Sequence, residues 1–244
     1  MNDEQDRLFA KKNRASTTRF RFDESVVKVF SDMITRSVPG YELVVPMIGM
    51  LARDYAQPGS RIYDLGCSLG AASLVMSRAI GTPGVEIIAV DNSVAMVDRC
   101  KKHAKKNDGR VPIEVRLEDI LDTRIENASV VVLNFTLQFL DLSQRQVLIN
   151  QIAKGLRPDG ALIVSEKICF ADGQEQIDQT NWHHDFKRTQ GYSDLEIAQK
   201  RDALDEVLKP ETEATHLARL ATAGLTRPRR WFQCFSFASY IAFK

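Results

Sequence analysis

The chain has 244 residues, of which 44% are hydrophobic, and its formal net charge is +1. This length and composition suit one α/β domain, or one domain with an added subdomain. The near-neutral charge gives no long-range attraction for nucleic acid or an anionic membrane, although net charge alone does not exclude a local basic patch. No apolar run approaches the roughly 18 residues that span a bilayer. We therefore expect no direct nucleic-acid partner and no membrane partner.

The cysteine spacing matches neither a metal site nor a redox motif. None of the four cysteines forms a C-x-x-C pair, and no Cys/His spacing resembles a zinc site. The sequence therefore predicts no bound metal, and reduced thiols in a cytoplasmic protein. These cysteines are Cys67, Cys100, Cys169 and Cys234.

The N-terminal segment, residues 1–21, is charged and lacks the apolar core of a secretion signal. It is predicted to be a disordered leader. The rest of the chain, 22–244, is predicted to form a single domain.

That domain is predicted to begin with a helical cover over residues 22–58. Asp23 or Ser25 can cap a first helix, which the turn at Gly40 should end. Pro46 lies inside the second helical pattern, where it predicts a kink or a restart.

Strands alternate with helices from residue 61 onward. Runs rich in β-branched and aliphatic residues are separated by amphipathic helical patterns. This alternation predicts a doubly wound, mostly parallel sheet with helices on both faces. The predicted strands are 61–67, 85–93, 112–120, 128–140 and, after a turn at RPDG, 161–170.

The pattern changes after Phe170. Residues 171–209 are polar and helical, which indicates a helical insertion, and an amphipathic helix follows over 211–225. The C-terminal stretch RRWFQCFSFASYIAFK predicts two strands joined by very few residues, which should therefore pair antiparallel. The complete prediction is an α/β fold with a seven-stranded sheet.

The stretch GCSLG at residues 66–70 matches G-x-S-x-G, the turn on which hydrolases place a nucleophilic serine. In that fold the turn follows several strands, whereas here it follows the first. Two of the downstream histidines, His103 and His216, lie in helical patterns of ordinary character. A nucleophilic role for Ser68 is therefore the weaker of two hypotheses, because the motif lacks its structural context.

The second hypothesis is a loop that binds a nucleotide-like cofactor. Asp64 stands two residues before Gly66, which permits a sharp turn of the backbone. Ser68 and Gly70 keep the loop slim at the start of the next helix. The loop lacks the middle glycine of G-x-G-x-x-G, which a pyrophosphate requires for close approach.

Polar residues also end the next three predicted strands. Asp91 ends the second strand, where a carboxylate can accept both hydroxyls of a ribose. Asp119 and Ile120 end the third, where an acid can meet an adenine amino group and an aliphatic side chain can pack on the ring. Asn134 ends the fourth, beside the reactive end of such a ligand. This ordered pattern resembles the class I methyltransferase fold, which binds S-adenosylmethionine (AdoMet).

Longer stretches resemble the carboxy-S-adenosyl-L-methionine synthase family, from about Phe22 to the C-terminus. They are FDESVVKVFSDMITRSVPGY, YDLGCSLGAASL, NASVVVLNFTLQFL, HHDFKRTQGYSDLEIAQKR and WFQCFSFAS. The resemblance implies conversion of AdoMet and prephenate to carboxy-AdoMet and phenylpyruvate. The hydroxide leaving prephenate would deprotonate the AdoMet methyl group, and the resulting ylide would capture the released carbon dioxide. The product would supply the carboxymethyl donor for 5-oxyacetyl-uridine at the wobble position of tRNA.

The resemblance also implies a set of site residues. A family arginine that meets the new carboxylate falls on Arg201, and in the family it comes from the neighbouring subunit of a homodimer. TQGYSDLEIAQKR departs from the family pattern, which is closer to ANGYSELEISQKR, but it keeps Tyr192 and Arg201. The implied contacts to AdoMet and its product are Tyr41, Gly66, Cys67, Ser68, Asp91, Asn92, Asp119, Ile120, Asn134 and Arg201.

Other interpretations stay open at this point. The chain could be an ordinary AdoMet-dependent methyltransferase acting on a small molecule, or an AdoMet-binding protein without activity, since a fold does not fix a function. Arg201 lies among acidic helix residues and could simply be solvated or ion-paired. Tyr41 could pack the turn before it. His183 and His184 are adjacent, so on a helix they point about 100° apart, which disfavours a shared metal.

Overall fold

The computed structural model describes residues 5–10, 23–205 and 207–244. The predicted helical cover is present as two helices, α1 (Glu24–Ser37) and α2 (Tyr41–Tyr55). Asp23 caps α1 by accepting hydrogen bonds from the backbone N–H groups of Ser25 and Val26. Gly40, at φ +81°, makes the turn between the helices, a conformation that favours glycine.

The expected restart at Pro46 is absent, because α2 continues through that residue. Pro46 removes one backbone donor from the helix, but it lies on the exposed face. Water can therefore satisfy the carbonyl group that Pro46 leaves without a partner.

The alternating segment folds as predicted into parallel strands connected by helices. In chain order the elements are β1 (Arg61–Leu65), α3 (Ala71–Ala79), β2 (Glu86–Asp91), α4 (Val94–Lys106), β3 (Ile113–Leu117), β4 (Ala128–Asn134), a 3-10 turn (Leu137–Phe139), α5 (Leu142–Gly155) and β5 (Leu156–Cys169).

The predicted helical insertion and the closing elements follow. They are α6 (Gly173–Thr189), α7 (Asp194–Asp205), β6 (Glu211–Thr212), α8 (Glu213–Thr222), β7 (Thr226–Cys234) and β8 (Phe237–Phe243). The sheet order is β3-β2-β1-β4-β5-β8-β7, with β1 to β5 parallel and β8 antiparallel to both β5 and β7. The seven predicted strands are confirmed. An eighth, the two-residue β6, pairs with the end of β5.

The fourth strand is shorter than predicted and ends at Asn134. Phe135 has a φ of +60°, which turns the chain out of the sheet. The buried carboxyl group of Glu166 then accepts hydrogen bonds from the backbone N–H groups of Leu137 (2.8 Å) and Gln138 (2.9 Å). The apolar run after Asn134 therefore forms a tight turn instead of extending the strand.

The segment LRPDG does not form a simple turn before the fifth strand. Ala128 pairs with Leu156 and Val130 pairs with Ala161, so the intervening residues bulge out of the register. Asp159, at φ +60°, lies within this bulge. The strand consequently begins at the end of α5, five residues earlier than Ala161.

Two apolar clusters cover the two faces of the sheet. Along β4, Val131 and Leu133 pack into one cluster, which includes Leu148 of α5. Val130 and Val132 pack into the other, with side chains from α2 and α3. This alternation is the period of a strand buried on both faces. The strand order reverses between β1 and β4, which opens a crevice at their carboxyl ends.

Part of the predicted leader packs against the domain. The side chain of Asp6 is buried, and its backbone N–H donates to Asp32 Oδ2 at 2.7 Å. Tyr192, on the insertion, donates its hydroxyl to Asp6 Oδ2 at 2.6 Å. The prediction of disorder therefore does not describe residues 5–10. Residues 1–4 and 11–21 lie outside the described residues.

No helix within the described ranges has the length and apolar character needed to cross a membrane.

Candidate active site

A cavity of about 430 Å³ opens at the carboxyl ends of the central strands. Residues of α1 and the start of α2 line one side, and residues of α6 and α7 line another, so the helical cover and the insertion enclose it. Every site residue predicted from the sequence lines this cavity: Tyr41, Gly66, Cys67, Ser68, Asp91, Asn92, Asp119, Ile120, Asn134 and Arg201.

The GCSLG loop is fixed in place by backbone hydrogen bonds. The N–H groups of Gly66 and Cys67 both donate to the carbonyl oxygen of Val90, at 2.8 and 2.9 Å. Gly66 has a φ of +79°, and a Cβ at this position would collide with the side chain of Thr136. Ser68 also adopts the left-handed region, at φ +51°. The loop therefore requires glycine at its first position, and it is held rigidly at the rim of the cavity.

The surroundings of Ser68 do not resemble those of a nucleophile. Its hydroxyl donates to the sulfur of Met96 at 3.4 Å. The nearby His103 places Nδ1 3.0 Å from the carbonyl oxygen of Leu69. An activated serine donates its hydroxyl to a base, whereas the Ser68 hydroxyl donates to a thioether sulfur. This geometry gives the hydrolase hypothesis no support.

The carboxylate of Asp91 organises the end of β2. Its Oδ2 accepts a hydrogen bond from Ser68 N and its Oδ1 accepts one from Ser93 N, both at 2.9 Å. Burial raises the pKa of Asp91, and these backbone hydrogen bonds oppose the rise. Each carboxylate oxygen carries two lone pairs, so both oxygens can still accept from the hydroxyls of a ribose.

Asp119 and Ile120 form the next part of the rim. Asp119 Oδ1 accepts from the backbone N–H of Leu121 at 2.9 Å, which orients the carboxylate at the end of β3. Ile120 is buried among the core residues and also lines the cavity. Together they offer a hydrogen-bond acceptor beside an apolar surface, as a purine ring with an amino group requires.

Asp64 and Tyr41 both line the cavity. Asp64 Oδ2 accepts from the N–H and the hydroxyl of Ser73, at 3.0 and 2.5 Å, which ties β1 to α3. Burial raises the pKa of Asp64 to about 6. Burial and the neighbouring Asp64 also raise the pKa of Tyr41, so its hydroxyl stays protonated and can donate a hydrogen bond.

Asn134 carries a buried polar atom without a partner. Among the described residues, nothing donates a hydrogen bond to its Oδ1. An orphaned buried acceptor is costly unless a ligand completes it. The ammonium group of AdoMet is a donor of the required kind, so the residues at this edge fit that molecule.

Four cations line the part of the cavity that is formed by β5 and the inserted helices: Lys167 of β5, Lys187 of α6, and Lys200 and Arg201 of α7. We call this part of the lining the basic wall. Burial lowers the pKa of Lys187 to about 7, with Lys200 and Lys167 adding to the effect. Burial lowers the pKa of Lys200 to about 8 although Asp6 opposes the shift. Sequence reasoning missed the three lysines, because a lysine in a polar helix is usually solvated.

Arg201 lies at the outer rim of the cavity of its own chain. Its side chain is 61% exposed, and its guanidinium group donates to Asp202 Oδ1 at 2.9 and 3.1 Å. An exposed pair of this kind is weak, so the guanidinium group is free to exchange Asp202 for a ligand carboxylate.

His183 and His184 have separate environments. His183 Nε2 donates to the carbonyl oxygen of Ser37 at 2.8 Å, and burial lowers the pKa of His183 to about 2, so this ring stays neutral. Within the described residues, no group of three or more His, Cys, Asp or Glu side chains is arranged to hold a metal ion. The absence of a bound metal stays a prediction.

Comparisons with known proteins agree with this architecture. Residues 62–160 match the methyltransferase domain family. An O-methyltransferase family protein from Burkholderia thailandensis superposes with a TM-score of 0.66 at 16% identity, over 99% of this chain and 63% of that structure. Human N-acetylserotonin methyltransferase, solved in complex with SAM, gives 0.57 at 16% identity, over 91% of this chain and 55% of that structure. These likenesses show the fold.

Curated relatives give a more specific assignment. A carboxy-S-adenosyl-L-methionine synthase of Yersinia pestis (strain Pestoides F) is 56% identical over 223 residues, covering 91% of this chain and 84% of the relative. A carboxy-S-adenosyl-L-methionine synthase 2 of Yersinia pseudotuberculosis serotype IB matches to the same extent. The chain belongs to the carboxy-S-adenosyl-L-methionine synthase family. Members of a synthase family are enzymes, so the protein is an enzyme built on the methyltransferase fold.

The cavity combines residues expected of the general methyltransferase fold with a basic wall that this fold does not predict. The loop at Gly66 and the acids after β2 and β3 are expected of any class I methyltransferase fold. The basic wall is formed by side chains of β5 and of the inserted helices, and these side chains are not among the residues from which the fold is predicted.

Proposed function

We propose that this enzyme converts AdoMet and prephenate into carboxy-AdoMet and phenylpyruvate. The observation that carries the proposal is the segregation of charge within one cavity. The acids Asp64, Asp91 and Asp119 lie on the side of β1 to β3, where AdoMet would bind. The cations of the same cavity lie on β5 and on the inserted helices α6 and α7, and they offer the positive charge that a dianionic second substrate requires.

The proposed reaction balances without an external oxidant or base. Prephenate loses its ring carboxylate as carbon dioxide and its hydroxyl as hydroxide, and its ring becomes aromatic, leaving phenylpyruvate. The hydroxide takes one proton from the AdoMet methyl group and becomes water. The methyl carbon then forms a bond to the carbon dioxide. The net result is carboxy-AdoMet, phenylpyruvate and one water.

Within this scheme the protein positions the substrates and shields them. Asp91 and Asp119 would orient the nucleoside of AdoMet, and the free oxygen of Asn134 would accept from its ammonium group. Tyr41 would donate a hydrogen bond near the reacting end. The side chains of α1, α6 and α7 cover the cavity, which would keep water from a reactive carbanion and from carbon dioxide.

Arg201 would act as the catalytic residue that contacts the new carboxylate. Its planar guanidinium group can hold a carboxylate through two parallel hydrogen bonds. A carboxylate forming on the methyl carbon would be stabilised by such a contact as its charge develops.

The direct test is a turnover assay with AdoMet and prephenate, followed by mass spectrometry. We expect a product 44 Da heavier than AdoMet, because one carbon dioxide is added, and an equal amount of phenylpyruvate. An ordinary small-molecule methyltransferase would instead form S-adenosylhomocysteine without any need for prephenate. An inactive binding protein would retain AdoMet unchanged.

Carboxy-AdoMet would then serve as the carboxymethyl donor for 5-oxyacetyl-uridine at the wobble position of tRNA. The formal net charge of +1 supports supply of the donor as a diffusing small molecule, without direct contact between this chain and tRNA. A filter-binding assay with purified tRNA should therefore show no retention by this protein, whereas salt-sensitive retention would contradict the proposal.

We also propose a homodimer in the cytoplasm. The apolar side chains of Leu43, Met47 and Met50 are exposed along α2 at helical spacing. All four cysteines are free thiols, which supports a reducing compartment. Sedimentation velocity should give the mass of two chains, and Met47→Glu should shift the equilibrium towards one.

A further inference from the structure

The basic wall of the cavity contains lysines that are unusually deeply buried. Lys187 is only 7% exposed and Lys200 only 4% exposed, and both line the cavity together with Lys167. Lysine is among the residues least often buried without a partner, because removing its charge from water is costly. Two such groups in one cavity, with the half-buried Lys167 lining it as well, therefore require an explanation.

Protein contacts compensate only one of the three. Lys200 Nζ donates to Ser37 Oγ at 2.7 Å and to Asp6 Oδ2 at 3.3 Å. Within the described part of the chain, the ammonium groups of Lys187 and Lys167 have no carboxylate partner. The one acidic cavity residue on α7, Asp205, is exposed. The wall therefore carries an excess of positive charge that the fold does not neutralise.

The other two lysines add to the cost of placing a charge on Lys187. Lys200 and Lys167 both lower the pKa of Lys187, in addition to burial. Like charges that repel in a desolvated site are held together only when packing fixes them, and a bound anion relieves the repulsion. His183, which faces the same cavity, is neutral and adds no charge.

We propose that Lys187, supported by Lys167 and Lys200, binds the carboxylates of a small dicarboxylate substrate. Phe237 and Leu204 line the same cavity and offer apolar contacts to a six-membered ring that carries the two acidic groups. The site thus fits a ring compound with two acidic groups. Arg201, at the rim, is separate from it and would serve the product's new carboxylate.

This inference rests on the proposed function, in which prephenate is the dicarboxylate. It adds the residues that recognise this substrate, and it can be tested by binding alone. S-adenosylhomocysteine lacks a methyl group, so a complex with S-adenosylhomocysteine and prephenate cannot form carboxy-AdoMet. Isothermal titration of prephenate into the protein saturated with S-adenosylhomocysteine therefore measures recognition without carboxylation.

The variant to compare is Lys187→Met, which keeps the length of the side chain and removes its charge. We expect at least a tenfold weaker affinity for prephenate and an unchanged affinity for S-adenosylhomocysteine. Lys187→Arg should recover part of the loss. Lys154→Met is the matched control, because Lys154 is exposed on α5 and does not line the cavity.

Thermal unfolding separates this role from a structural one. A lysine that serves the fold would destabilise it when removed, whereas Lys187→Met removes an uncompensated buried charge and should keep or raise the Tm. Unchanged prephenate affinity in Lys187→Met, or no binding of prephenate by the unaltered protein, would overturn the inference. Binding without formation of carboxy-AdoMet would preserve this site and reject the proposed function.

Discussion

The backbone N–H of Ser68 donates to Asp91 Oδ2 at 2.9 Å and thereby joins the loop after β1 to the end of β2. The same carboxylate holds Ser93, which caps α4. One side chain therefore orients two elements and also faces the cavity. Removing the carboxylate of Asp91 should therefore affect both the conformation of the loop and the binding of the ligand.

Asp91→Asn should weaken the binding of AdoMet. A hydrogen bond to a charged group contributes about 1.5–3 kcal/mol, so we expect a loss of roughly one to two orders of magnitude in affinity. Titration calorimetry with S-adenosylhomocysteine measures the effect. Asp98→Asn, an exposed position on α4 outside the cavity, is the control. Equal affinities for both variants would mean that Asp91 serves only the fold.

Ser68→Ala should leave ligand binding nearly intact. Among the described residues, the hydroxyl forms a hydrogen bond only to the sulfur of Met96, a weak acceptor, whereas the backbone N–H that binds Asp91 is retained. We expect a change in affinity for S-adenosylhomocysteine of less than about threefold. In parallel, a fluorophosphonate probe should fail to label the unaltered protein, with an authentic serine hydrolase labelled in the same experiment. Covalent labelling at Ser68 would revive the hydrolase hypothesis.

Much of this site could be predicted from the sequence, because its residues directly follow the strands that position them. Gly66, Asp91, Asp119 and Asn134 each end a predicted strand, and the carboxyl ends of parallel strands meet at one edge. The seven strands and the antiparallel terminal pair are also confirmed, since alternation and short connections specify them.

The parts that sequence reasoning missed depend on tertiary contacts. Lys187 lies in a polar helix, and it is buried only because α6 packs over the cavity. Asp6 is buried because Tyr192, far along the chain, donates to it. The premature end of β4 depends on Glu166, more than 25 residues later. No local periodicity signals such pairings.

Arg201→Ala should weaken the binding of carboxy-AdoMet far more than the binding of AdoMet. The loss of one bidentate charge-assisted contact predicts at least a tenfold difference between the two ligands. Calorimetry with each ligand measures it. Arg188→Ala, which removes an exposed and ion-paired arginine from α6, is the control. An equal loss for both ligands would show that Arg201 does not recognise the carboxylate.

Mixing two impaired variants identifies the subunit whose site uses Arg201. In a heterodimer of Arg201→Ala and Asp91→Asn chains, an arginine acting across the interface completes one intact site, whereas an arginine acting on its own chain completes none. In the structure, Arg201 lines the cavity of its own chain. We therefore expect no recovery of activity, and recovery would assign Arg201 to the partner's site.

The pH dependence of prephenate binding should follow the deprotonation of the three lysines in the basic wall. Burial lowers the pKa of Lys187 to about 7 and that of Lys200 to about 8, and the pKa of Lys167 is also lowered. The carboxylates require ammonium groups, so proton loss between pH 7 and 9 removes the binding charge. We expect the KM for prephenate to rise by about tenfold or more over this range, with a much smaller change in kcat. In Lys187→Met the rise should begin at higher pH, where Lys200 titrates.

As the pH rises, prephenate binding should weaken, whereas the contribution of Lys187 to the stability of the fold should become more favourable. Because the folded pKa of Lys187 lies below its unfolded value of 10.5, the unfolded chain binds more protons between pH 7 and 10.5. The contribution of Lys187 to the free energy of unfolding therefore rises with pH across that window. The Tm advantage of Lys187→Met over the unaltered protein should accordingly shrink from pH 7 to pH 10. A constant difference in Tm would mean that Lys187 keeps an ordinary pKa, and the KM profile would then have to arise from Lys200 or Lys167.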